Sequence, residues 1–188
     1  SILETSQIAS FTTLQISSVL LSALNTTSVV ILSSAQIISL STYQISSVLL
    51  TSQVVAIETA DISVLSTAQI VALTPTQISS VITSSQVIAI STLDVVALMT
   101  RQIASLTTYQ VSSVLTSAQV VAIETADIVA LVTSQIVSLT TYQISSVLST
   151  AQVVAIETVD IDVLTTSQII SLITDQVSVL SNAQVVAI

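Results

Sequence analysis

One eight-residue pattern, [ST]-[ST]-x-Q-[IV]-x-x-[LI], recurs along almost the whole chain, as in Ser66-Thr-Ala-Gln-Ile-Val-Ala-Leu73 and Thr116-Ser-Ala-Gln-Val-Val-Ala-Ile123. A nine-residue variant carries one extra residue before the final Leu or Ile and begins at Ser41, Thr74, Thr107 and Thr140, always 33 residues apart. Four units therefore make one higher-order repeat. A chain with such a period cannot build one irregular core: each repeat buries its apolar face against the next, and the result is a stack of similar storeys.

The pattern also states what one unit folds into. A hydroxyl at position one followed by Gln or Asp at position four is a capping box, in which the hydroxyl accepts from the backbone N–H three residues on and the longer side chain reaches back. Apolar residues follow at positions five and eight, a helical spacing. An uninterrupted helix advances about 100° per residue, so an eight-residue period would smear the apolar stripe around the rod. The helix must stop and turn at every cap. The expected fold is an all-α solenoid of short capped helices, four units of eight or nine residues per 33-residue coil, running as a single solenoid over 1–188.

A β-solenoid is the alternative, because Val, Ile and Thr dominate and stretches such as Val54-Val-Ala-Ile57 favour strands. Against it, the chain has no Gly and only Asn25 and Asn182 for corners that need positive φ. Asp61, Asp94, Asp127 and Asp160 also recur at intervals of 33 and would stack. Carboxylates about 4.8 Å apart in a β-stack repel more than at the 8–10 Å of packed helices.

Two places break the count. Between Thr12–Leu20 and Ser41 lie a truncated unit, Leu21-Ser-Ala-Leu24, and Asn25–Leu32, where Ser28 replaces the Gln, so an irregular coil is expected at 21–32. Ile173–Leu180 has eight residues where nine are due.

Composition removes most chemistry. With no Cys and no His there are no common zinc, haem or thiol sites and no Ser–His nucleophile, and with no Gly there is no phosphate loop. Arg101 is the only basic residue and the net charge is -9, which excludes nucleic acid as a partner. A mean hydropathy of +1.01 raises the question of a membrane span. Apolar runs such as Val29–Leu32 are far shorter than the ~20 residues required. The start carries no signal-peptide pattern; it falls at Ser1, inside the pattern, so the chain reads as part of a longer repeat protein whose bare apolar ends would seek flanking repeats or another copy.

Several columns invite a chemical reading. The Asp61, Asp94, Asp127 and Asp160 column, with Glu58, Glu124 and Glu157 beside it, offers oxygen ligands for calcium. The simpler expectation is that each Asp is a cap partner at a helix start. A glycosidase pair is disfavoured by the regular column and the lack of cleft-forming residues. Gln occupies position four in 17 of 22 complete units, and the column Gln44, Gln77, Gln110, Gln143 and Gln176 is either a fibre-promoting ladder or, as preferred, a set of local caps. Tyr43, Tyr109 and Tyr142, with Thr76 in the fourth place, are either a binding stripe or, as preferred, packed at a corner made by the extra residue. The outward Ser and Thr rows suit solubility, O-linked sugars or ordered water alike.

The tandem TTAQIxAL-type units resemble low-complexity TTxQIxxL repeats of large secreted or surface-attached bacterial proteins of the adhesin and haem-utilisation kind. The resemblance runs from Glu4 to Ile188, with more Val and Ile than simple versions and with the 33-residue superperiod. It implies an extracellular or cell-surface location and a structural or adhesive role, and carries over no functional residue. The expectation is a rigid spacer or self-associating filament whose partners are further copies, end to end or lateral. The alternative is an adhesin or surface-binding module, calcium-stiffened or bearing an ice- or surface-binding Thr face, with a surface or glycan as ligand. No catalytic, cofactor-binding or metal residue is nominated, and no enzyme is expected.

Overall fold

A computed structural model describes residues 4–18, 21 and 24–188. The architecture is an all-α solenoid of short helices. Among the described residues there is no strand, which removes the β-solenoid alternative. The chain divides into two compact units, Ser1–Ala97 and Leu98–Ile188, each made in the same way.

Ser117–Ala122 and Thr150–Ala155 are representative six-residue helices. Segments this short are unstable alone, because nucleation costs more than so few hydrogen bonds return. Each is held at its start by the predicted box: Thr116 and Ser149 are extended, and their side chains accept from the backbone N–H of Gln119 and Gln152. At the other end Ile123 and Ile156 leave the helix at φ -66 with ψ 123 and 127, and Glu124 and Glu157 continue extended at ψ 153 and 152. Two successive extended residues, position eight and the next position one, thus redirect the backbone. No described residue has positive φ, so the turns need no Gly.

Positions five and eight point inward. Ile70 and Leu73 in the first unit, and Ile136 and Leu139 in the second, are buried, Ile70 and Ile136 completely. Burying each such side chain contributes roughly 1.5–3 kcal/mol, and the sum offsets the ordering of helices that would otherwise fray.

The nine-residue units hold the first departure from expectation. Gln44–Val48, Gln77–Val81, Gln110–Val114 and Gln143–Val147 are π-helical turns, closed by bonds such as Leu49 N–H to Gln44 O at 2.9 Å and Leu148 N–H to Gln143 O at 2.8 Å. The extra residue is absorbed inside the helix by widening its turn, so that the closing bond spans five residues instead of four. It makes no corner. Tyr43, Tyr109 and Tyr142 therefore have no corner to pack in and stand 62–68% exposed, which corrects the preferred expectation for them.

The interruption at 21–32 also resolves. Gln53 donates to the carbonyls of Leu21 and Leu24, both at 2.6 Å, and both leucines are buried. They hold positions five and eight, so the half lost is the capping half and the core half remains. Residues 19, 20, 22 and 23 lie outside the described residues. Asn25 then caps Thr26–Val30 by accepting from Ser28 N–H at 2.8 Å. In the short unit at 173–180, the segment Thr174–Ser178 is an ordinary α-turn. No helix among the described residues is long and apolar enough to cross a membrane.

Candidate functional site

The most developed chemistry in the molecule belongs to the glutamines. Gln152 is buried, and its Oε1 accepts from Ser149 N–H at 3.0 Å and Ser149 Oγ–H at 3.2 Å. That is the expected cap. Its Nε2 donates downward, to Val120 O and Ile123 O, each at 2.9 Å and 32 and 29 residues earlier. Gln86 repeats the geometry on Val54 O at 2.9 Å and Ile57 O at 2.8 Å, and Gln69 on Leu40 O at 2.8 Å. One amide therefore closes its own helix start and pins the storey beneath. The preferred capping expectation is met; the amide also joins storeys, by bonds that run from side chain to backbone and not from Gln to Gln as a ladder would.

The sequence distances track the irregular units. Gln36 reaches Ile8 O and Phe11 O only 28 and 25 residues back, four fewer than usual because of the half unit at Leu21–Leu24. Gln184 reaches Val154 O and Ile156 O at 30 and 28 residues, each one fewer than the 31 and 29 that separate Gln152 from the equivalent Val121 O and Ile123 O, after the short unit. Where position one is apolar, the amide still caps alone: Leu50 N–H and Val132 N–H each donate to the Gln three residues on at 2.7 Å.

The Asp column behaves differently, because a carboxylate has no N–H to give. Asp61, Asp94, Asp127 and Asp160 are all buried. Asp94 meets the capping expectation through Ser91, whose Oγ–H donates to Oδ2 at 2.6 Å. Its other oxygen accepts from Thr67 Oγ–H at 2.7 Å, and Asp61 accepts from Ser34 Oγ–H at 2.6 Å. Ser34 and Thr67 were not foreseen; the signal is a hydroxyl at position two, 27 residues before each Asp. Glu58, Glu124 and Glu157 make no side-chain cap bond. Asp160 Oδ1 is buried with no partner. No group of three or more His, Cys, Asp or Glu converges among the described residues.

The surfaces differ from column to column. Eight of the ten acidic residues lie in the units that begin at Glu58, Ser91, Glu124 and Glu157. The nine-residue units carry paired serines, with Ser112 Oγ and Ser145 Oγ each 3.1 Å from the next hydroxyl, and those that begin at Ser41, Thr107 and Thr140 also expose a Tyr. The units starting at Leu50, Thr83, Thr116, Ser149 and Ser181 carry no formal charge.

Comparison with known proteins agrees with this register. No curated protein and no solved structure matches the chain. A model of the ALTTAQ repeat matches residues 54–92, 87–122, 120–155 and 153–188. The six letters correspond to positions seven and eight of one unit followed by positions one to four of the next, as in Ala130-Leu-Val-Thr-Ser-Gln135, and so span the turn, the cap and the amide that pins the storey below. The chain belongs to the ALTTAQ repeat family.

Proposed function

We propose that the chain is a non-catalytic structural segment of a longer extracellular or cell-surface protein, serving as a stiff, self-associating spacer in the manner of the secreted adhesin-like and haem-utilisation proteins its repeats resemble. The observation that carries this reading is the amide that joins consecutive storeys through backbone carbonyls, as Gln86 and Gln152 do. Such bonds are buried, where each is worth more than at a surface and costly to leave unmade. A structure held in this way resists stretching without needing a large core.

Single-molecule stretching tests it. The expected trace shows storeys yielding one after another at a definite force, and that force falls in Gln152→Glu. Extension without resistance would defeat the spacer reading. The adhesin or surface-binding alternative draws on the exposed Tyr109 and Tyr142 beside serine pairs. Binding to glycan-coated surfaces that is lost in Tyr109→Ala/Tyr142→Ala, or melting that rises with calcium, would favour it.

A further inference from the structure

Among the described residues, Asp160 Oδ1 is the one buried side-chain nitrogen or oxygen with no hydrogen-bond partner in the protein. The register of the second compact unit says what it faces. There, a position-four side chain reaches the position-eight carbonyl 29 residues earlier, as Gln152 reaches Ile123 O at 2.9 Å and Gln168 reaches Leu139 O at 2.8 Å. For Asp160 the carbonyl at that offset is Leu131 O. Leu131 is buried, and no described residue donates to its carbonyl, whereas Ile128 O, the next nearest in this register, is already taken by Leu131 N–H at 3.2 Å. In the first compact unit Asp61 and Asp94 accept from a hydroxyl 27 residues earlier, Ser34 and Thr67. Thr133, at the same offset from Asp160, makes no bond to Oδ1. Two buried oxygens are therefore directed at each other across this junction, and neither has a donor.

We propose that this junction is a binding site for a single ordered water, which donates one hydrogen to Asp160 Oδ1 and the other to Leu131 O and so supplies what the Gln amide supplies in the other columns. The separation fits. Asp is one methylene shorter than Gln, so its oxygen is set back by about 1.5 Å from the place of a Gln nitrogen. Added to an amide bond of 2.8–2.9 Å, this puts the two oxygens about 4.3 Å apart, close to the span of two ~2.8 Å bonds that meet at one water. The chemistry fits as well. Both oxygens accept and neither donates, so the occupant must bring two donors, and buried groups without a protein partner are where internal waters are held. A calcium ion is a poorer match, because it takes about six to eight oxygens and no three acidic side chains converge among the described residues.

The site concerns one junction and does not depend on the spacer reading. Crystal structures of the full chain and of two variants, at a resolution that shows waters, are the test. In the parent, one density peak is expected within about 3 Å of both Asp160 Oδ1 and Leu131 O. Asp160→Asn keeps the side-chain length and should keep the peak. Asp160→Gln restores the missing methylene, so its Nε2 should displace the water and donate to Leu131 O directly. A companion measurement separates water from a cation: the melting midpoint of the parent should be the same in calcium and in chelator. A protein donor on Oδ1, no density between the two oxygens, or a peak that survives in Asp160→Gln would overturn the proposal. So would a calcium-dependent rise of the midpoint that Asp160→Gln abolishes, which would make the occupant a metal ion.

Discussion

Replacing Gln152 by Glu isolates the downward half of the amide. The substitution preserves shape and keeps an oxygen to accept from Ser149 N–H at 3.0 Å, so the cap survives. It removes the two donors that reach Val120 O and Ile123 O at 2.9 Å. Val120 O keeps its bond from Ile123 N–H at 3.2 Å, but Ile123 O is left without a partner at a cost of about 1–3 kcal/mol, and a buried carboxylate facing two carbonyl oxygens adds repulsion or forces protonation. The expected loss at neutral pH is about 3–6 kcal/mol, centred on the storeys containing 116–123 and 149–156. Burial and the facing carbonyls raise the introduced carboxyl above its unfolded value of about 4.3. The folded chain then binds the proton more tightly, so the deficit is smallest below that unfolded value and grows as pH rises through the raised folded value. Gln15→Glu is the control, since Gln15 is exposed and its Oε1 accepts from Thr12 N–H at 2.8 Å; its cost should stay within about 0.5 kcal/mol. Urea titrations followed by circular dichroism, with hydrogen exchange of the two storeys, measure both. Equal shifts in the two variants, or a deficit that does not shrink in acid, would refute the downward bonds as a source of stability.

Other outcomes follow from the same geometry. Asp160→Gln should stabilise by about 1–3 kcal/mol, because it replaces a carboxylate oxygen that has no partner with an amide placed to reach Ile128 O and Leu131 O; an unchanged or lower melting midpoint would count against it. Thr67→Val should cost about 1–3 kcal/mol by stripping the 2.7 Å hydroxyl bond from buried Asp94, read by chemical denaturation. Deleting Ser113 turns a nine-residue unit into the pattern already found at 173–180 and should keep the helical spectrum, whereas deleting Ala122 rotates Ile123 by about 100° out of the core and should cost about 2–5 kcal/mol. Ile136→Ala, at a completely buried site, should likewise cost about 2–5 kcal/mol, against under about 1 kcal/mol for exposed Val121→Ala.

The period, the caps at Ser66, Thr116 and Ser149, and the inward positions such as Ile70 and Leu73 were all legible in the sequence, because each depends on spacing within one unit. The absence of Gly pointed to helices, and the turns made from two extended residues, such as Ile123 and Glu124, show why none is needed. What was not legible depends on a neighbour one storey away. Nothing within Ser149–Ile156 says that the Gln152 amide donates to Val120 and Ile123, since a cap requires only its oxygen. The pairing of Asp94 with Thr67 lies 27 residues distant and belongs to no local motif. The π-turns were missed for a different reason. An added residue can be spent on a corner or on widening a helix, and only the bond from Leu49 N–H to Gln44 O decides between them.

The half unit at Leu21–Leu24 shows what the amides recognise. Gln53 binds its two carbonyls as Gln86 binds those of an intact unit, because every peptide group presents the same oxygen whatever side chain it carries. A newly duplicated or deleted stretch need not coevolve with whatever it lands upon, provided Leu- or Ile-type residues fill the interior. Copy number can drift during replication at little energetic cost, and genes for such arrays should vary in length more readily than in motif.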